Sequence, residues 1–308
     1  KSSSSFFLLS INSLAFRQLT MSHTLFTDEN RLEKFKNIII KYEINYDFAF
    51  RLRSIEGVDI VLIIDDSSSM TTPVIDREQA DLSPFRELPT RWDELKHVVS
   101  IIIDLASTLD PDGVDVYFLN RPSILHVYES KQLDDVFEIL PHGPTPLVRV
   151  LNEVLRRKRL QNHDRKVLIL IATDGLPTND RGESDLKTLE RLLRNCRQST
   201  TDNIYITFIA CTNDLECVGY LNKFDRHIPF VDVLDDYQSE RKEILRVQGK
   251  NFPFSHGDYV VKILMGSIDP WFDHLDERKV QLKHTENKPQ RRLSRLNGLT
   301  REKNCIIS

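Results

Sequence analysis

The chain is poor in cysteine, in surplus charge and in long apolar runs. Its four cysteines (Cys196, Cys211, Cys217 and Cys305) form no C-x-x-C pair and are too few and too irregularly spaced for a disulfide framework. Their scarcity excludes a disulfide-stapled scaffold, and a reducing compartment is the simpler expectation. The apolar blocks are of strand length, such as Val58 to Ile64, and fall well short of the roughly 20 residues a spanning helix needs. Basic and acidic residues nearly balance, 42 against 46 with a formal net charge of -4, so no nucleic-acid partner is expected and any charged partner must be met locally. Signatures of catalysis are missing too. The sequence holds no H-E-x-x-H, no G-x-S-x-G and no phosphate-binding loop, which weighs against an enzyme. His142, the nearest candidate base, reads as a surface turn residue.

What the chain does have, from Gly57 onward, is an alternation of apolar strand-like blocks with amphipathic helical blocks. This predicts an α/β fold: a doubly wound, mostly parallel sheet with helices on both faces. The strand blocks are Val58 to Ile64, Val114 to Leu119, Val167 to Ala172, Ile204 to Ala210 and Pro229 to Leu234, and their near-continuous Val, Ile and Leu suits burial on both sides. A shorter block, Ile124 to Tyr128, reads as an edge strand turned back after Pro122. Trp92, Leu95, Val99, Ile102, Ile103 and Ala106 recur at three-and-four spacing and predict a helix packed on the sheet. Similar stripes cover Leu147 to Leu155 and Leu186 to Leu193, and a weaker one Val218 to Phe224. Beyond the last strand, Tyr237 to Val247 and Tyr259 to Leu275 predict two more helices, the second interrupted at Pro270.

Three fragments carry the chemistry. The first strand runs into Asp65-Asp66-Ser67-Ser68-Ser69, a D-x-S-x-S string. The strand Val167 to Ala172 runs through Thr173 into Asp174-Gly175. Between them, Gly143-Pro144-Thr145-Pro146 sets Thr145 immediately before a helix. Each has an ordinary reading, since Asp and Ser crowd into turns, Thr followed by Pro is a common helix start, and Asp-Gly is a common turn. Those readings do not explain why all three occur in order where an open parallel sheet keeps its ligand crevice, outside the carboxyl ends of the strands.

Together the fragments resemble the von Willebrand factor type A (vWA) family and its metal-ion-dependent adhesion site, over about Gly57 to Leu234. The stretches VDIVLIIDDSSSM, DGVDVYFLN and ATDGLPTND look like intracellular members. Ser68, where Gly is frequent, and the long stretch after it depart from the pattern without touching a ligand position. The resemblance implies a Rossmann-like doubly wound fold and a site in which Ser67, Ser69 and Thr145 offer hydroxyl oxygens while Asp65 and Asp174 bind directly or through water. The implied ion is Mg²⁺, with Mn²⁺ or Ca²⁺ as alternatives. Neutral hydroxyls leave much of its charge unquenched, so a protein partner's Asp or Glu can supply a further oxygen. Asp66, at the variable position, is expected either to stand behind the ligands or to be structural. A metal-dependent hydrolase is the rival class, and a soluble cytosolic scaffold that no longer needs the metal is the third.

The excursion from Thr71 to Thr90, with three prolines and several acidic residues, reads as a surface loop, with a lid over the site as the sharper alternative. Residues 1–20 read as an untranslated-region or signal-like segment, with Met21 as the expected start. Residues 21–56 read as a helical extension (Glu29 to Tyr42 and Tyr46 to Ile55) padding the sheet edge, and 57–277 as the domain proper. Residues 278–308 read as a basic flexible tail ending in Cys305-Ile306-Ile307-Ser308, a C-a-a-X box. A prenyl group on Cys305, helped by the basic residues upstream, would hold the chain at an anionic membrane surface on its cytoplasmic face. Ser294, after Arg291 and Arg292, resembles a phosphorylation site that would weaken that contact.

Overall fold

A computed structural model describes residues 28–74, 88–161, 165–196 and 203–282. The interior of the long excursion, the first 27 residues, and the tail with Ser294 and Cys305 lie outside the described residues.

Two helices come first, α1 (Asp28–Lys41) and α2 (Tyr46–Leu52). The sheet is built from β1 (Asp59–Ile64), β2 (Val114–Phe118), β3 (Ile124–Val127), β4 (Val167–Thr173), β5 (Ile204–Ala210) and β6 (Val231–Leu234), in the spatial order β3-β2-β1-β4-β5-β6. Every pairing is parallel except β2 with β3, which is antiparallel and carries a register shift between Val114 and Val116. The helices interspersed among the strands are α3 (Arg91–Leu109), α4 (Asp134–Phe137), α5 (Leu147–Gln161), α6 (Leu186–Asn195), α7 (Leu215–Val218) and α8 (Leu221–His227). After β6 come α9 (Tyr237–Gln248), α10 (His256–Met265) and α11 (Pro270–Asp273). No helix among the described residues is long and apolar enough to cross a membrane.

The period-two geometry of a strand explains the two cores. Ile60, Leu62 and Ile64 of β1 point into one apolar cluster with α3 and α10, whereas Val61 and Ile63 point into the other with α5, α6 and α8. Along their whole length, β1, β2 and β4 are buried. Burial of a single Ile or Leu contributes about 1.5–3 kcal/mol, so this doubly covered sheet is the main source of rigidity beneath the loops at its edge.

The structure differs from the sequence reading at three places. The helix expected from Tyr259 starts instead at His256, because Ser255 and Asp258 form a reciprocal capping box, and it ends at Met265 before Asp269 caps a new turn at Pro270. The stripe at Val218 to Phe224 divides into α7 and α8. The first two helices do not pad the sheet edge. Phe48 of α2 meets the rings of Phe254, Trp271 and Phe272, and Tyr42 donates to Asp104 of α3 at 2.6 Å. An aromatic face such as that of α2 is stabilised best by other aromatic rings, and those lie on the segments that follow β6.

Candidate metal centre

β1 and β4 are neighbours in the sheet, with Ile64 opposite Ala172, yet the chain leaves β1 toward β2 on one side and β4 toward β5 on the other. Diverging connections leave a crevice at the carboxyl ends of these two strands. Asp65 and Asp174 stand there, both buried.

A continuous set of hydrogen bonds joins them. Asp65 Oδ1 accepts from the Ser67 amide at 2.9 Å, and Asp65 Oδ2 accepts from Thr173 Oγ1 at 2.6 Å. The Ser67 and Ser69 hydroxyls are 3.1 Å apart, and Ser69 Oγ donates to Asp174 Oδ1 at 2.7 Å.

The third loop is fastened to the other two through its backbone. The Ser68 amide donates to Gly143 O at 3.2 Å and the Gly143 amide to Ser68 Oγ at 3.1 Å. The Thr145 amide donates to Thr178 Oγ1 at 3.1 Å, and the Thr178 amide returns a bond to Thr145 O at 2.9 Å, tying Thr145 to the segment after Asp174. Gly143 has φ +104°, and a Cβ there would come 2.7 Å from Asn120 Oδ1, so the loop needs glycine on both counts. Thr145 is buried at the start of α5. Asp65, Ser67, Ser69 and Asp174 are therefore brought together by direct bonds, while Thr145 is tied by its backbone to the segment after Asp174.

Asp66 faces away from this set. Its Oδ1 accepts from the amide and side chain of Asn120, and Arg121 Nε lies 3.3 Å from Oδ2, close enough for charge attraction but off the line of a hydrogen bond. It ties the end of β1 to the segment after β2. His142 is exposed, and its amide donates to Asp66 O.

Burial pushes the Asp65 carboxyl up to about 6, against the bonds from Ser67 and Thr173 that favour its charge, and the nearby Asp174 adds to the rise. Burial likewise holds the Cys211 thiol well above its ordinary range, with Asp174 and Asp65 acting in the same direction, so this thiol is a poor nucleophile.

Several participants were not singled out from sequence. Thr173 is signalled only by its place before Asp174-Gly175. Tyr220, whose hydroxyl donates to Gly175 O at 3.1 Å, has no local signal. Neither has Arg91, whose Nη1 lies 2.7 Å from Asp174 Oδ2.

No family model matches the chain, and no curated protein matches it. Among solved structures, the chain is similar to the PilB minor pilin of Streptococcus sanguinis at TM-score 0.41 and 12% identity, over 60% of this chain and 59% of that one. It is also similar to the pilus adhesin SpaC of Lactobacillus rhamnosus GG in an open conformation, at TM-score 0.40 and 10% identity, over 67% of this chain and 30% of that one. Likenesses this distant carry no conclusion about function.

Among the described residues no group of three or more His, Cys, Asp and Glu side chains is placed to hold a metal ion. Two buried carboxylates with serine and threonine hydroxyls are hard oxygen donors, and they fit a small hard cation such as Mg²⁺.

Proposed function

We propose that this chain is a metal-dependent protein-binding module of the vWA type, with a doubly wound sheet that presents a Mg²⁺ site at the carboxyl ends of β1 and β4. The observation that carries this reading is the hydrogen-bonded path from Asp65 through Ser67 and Ser69 to Asp174, which links the two strands where their connections diverge. Asp65, Ser67, Ser69, Thr145 and Asp174 would hold the ion. Bound there, Mg²⁺ supplies a partly unquenched positive charge able to attract a carboxylate oxygen. The protein's own contribution is to orient the hydroxyls. Ser69 is aligned by Asp174 and Ser67 by Ser69 and by its amide bond to Asp65, while the exchange with Thr178 fixes the backbone of Thr145. The partner is a protein that presents an Asp or Glu.

Thermal denaturation in millimolar Mg²⁺ or Mn²⁺ tests the site, because a ligand bound only by the folded state raises the melting point. The full chain should melt higher with metal, and Ser69→Ala should lose most of that gain. Superimposable curves with and without metal would end this reading. They would favour instead a metal-free scaffold, for which the Arg91 guanidinium on Asp174 is the supporting observation.

A further inference from the structure

Arg91 is the first residue of α3, directly after the N-cap Thr90. A helix N-terminus carries partial positive charge, and acidic residues are stabilising in its first turn. α3 follows that rule at Asp93 and Glu94 and breaks it at Arg91. A positive charge in that position works against the helix dipole, so the reason for it lies elsewhere. The guanidinium reaches Asp174, whose side chain is 0% exposed, while that of Arg91 is only 15% exposed.

Both oxygens of Asp174 are thereby occupied, Oδ1 by the Ser69 hydroxyl and Oδ2 by Arg91. The ends of the long excursion hold Arg91 in place. Pro73 pairs with Thr90 in an antiparallel bridge, the Arg91 amide donates to Thr72 O at 3.0 Å, and the Thr72 amide donates to Ser69 O at 2.9 Å. The backbone that positions Ser69 thus also positions the cation opposite it.

We infer that Arg91 is a built-in competitor for the cation site: it neutralises Asp174 when no metal is bound and must release that carboxylate for a divalent ion to take it. The inference rests on the proposed metal site. Arg91 sets the metal concentration at which the site fills, exchanging some affinity for a crevice whose buried carboxylates are not left to repel each other. An orienting role, with Arg91 holding Asp174 in place for the ion, would have the opposite consequence, because removing it would then weaken binding.

Mn²⁺ titration of the full chain, followed by the electron paramagnetic resonance signal of the free ion, separates these cases. Arg91→Gln should bind Mn²⁺ about tenfold tighter or more than the parent, because the ion no longer has to displace a positive charge held in contact with Asp174. Arg91→Lys, which keeps the charge, should remain near the parent. Without metal Arg91→Gln should melt lower than the parent, and saturating Mn²⁺ should raise its melting point by more than it raises the parent's. Binding by Arg91→Gln equal to or weaker than the parent's would overturn the competitor role and leave the metal site standing. If neither protein takes up Mn²⁺, the site fails and the competitor with it. Binding by Arg91→Gln alone would be the competitor at its strongest.

Discussion

The two ends of the sheet treat buried carboxylates differently. At the amino end, Lys158 of α5 extends into the protein and donates to Asp59 of β1 at 2.8 Å and to Asp115 of β2 at 2.9 Å, while Arg165 serves Asp110 and Asp112. Burial works against the charge of Lys158, but the two carboxylates outweigh it and its pKa is raised. At the carboxyl end, Asp65 receives only hydroxyl and amide donors, and its carboxyl is pushed up to about 6. Asp174 has a guanidinium, but one supplied from the first residue of a helix at the neck of a long excursion. Acids matched by a cation from the adjoining helix act as a fastening. Acids given neutral hydroxyls in a crevice are, on the proposed reading, left for an outside cation.

Substitutions at the two ends should separate these roles. The largest effect is expected from Lys158→Met. It leaves Asp59 and Asp115 buried without a cation, and breaking such a buried arrangement costs on the order of 3–5 kcal/mol, measurable as a lower urea midpoint. Were Lys158→Met as stable as the parent, the amino end would not be the fastening described.

Next comes Asp232, a buried carboxylate of β6 packed so closely on Gly266 that a Cβ there would overlap it. One of its oxygens has no hydrogen-bond partner, and burial raises its pKa to about 8. Lys262 opposes that rise, while Asp273, Asp225 and Glu240 add to it. Because the folded-state pKa lies above the unfolded one, the group subtracts stability as pH rises from about 4 and stops subtracting more above about 8. Asp232→Asn should therefore stabilise by about 2–3 kcal/mol at pH 6, with little effect at pH 4. A pH-independent difference would show that charge is not what Asp232 contributes.

Thr173→Val removes the hydroxyl that donates to Asp65 and should cost about 1–3 kcal/mol at neutral pH, through the loss of a buried bond to a carboxylate. If Asp65 needs no donor, the denaturation midpoint will not move. The smallest effect is expected at the amino-end rim. Asp112 is 59% exposed in its pair with Arg165, and Asp112→Asn should change stability by less than about 1 kcal/mol.

Much of the architecture was legible in the chain because the signals are local. Continuous Val, Ile and Leu marks a strand covered on both faces, and each of the strand blocks read from sequence lies on or within a residue or two of an observed strand. The Asp-x-Ser-x-Ser and Asp-Gly fragments were legible as turns following apolar blocks, and Thr145 as the residue just before a helix. Arg91, Thr173 and Tyr220 were not, since each acts on a residue distant in sequence or unremarkable beside it. The seating of α2 was misread for the same reason, because Phe48 finds its aromatic partners more than 200 positions further along.

The order of residues alone determined the α/β alternation, the positions of the strands and the oxygen-rich character of three loops, because periodicity, turn chemistry and side-chain type are properties of short segments. Only the tertiary structure decided that Ser69 bonds to Asp174, that Gly143 clasps Ser68 and that the charge of Arg91 is spent on Asp174. These contacts join residues up to 105 positions apart, and their partners are chosen by strand order and crossover direction, which no local pattern encodes.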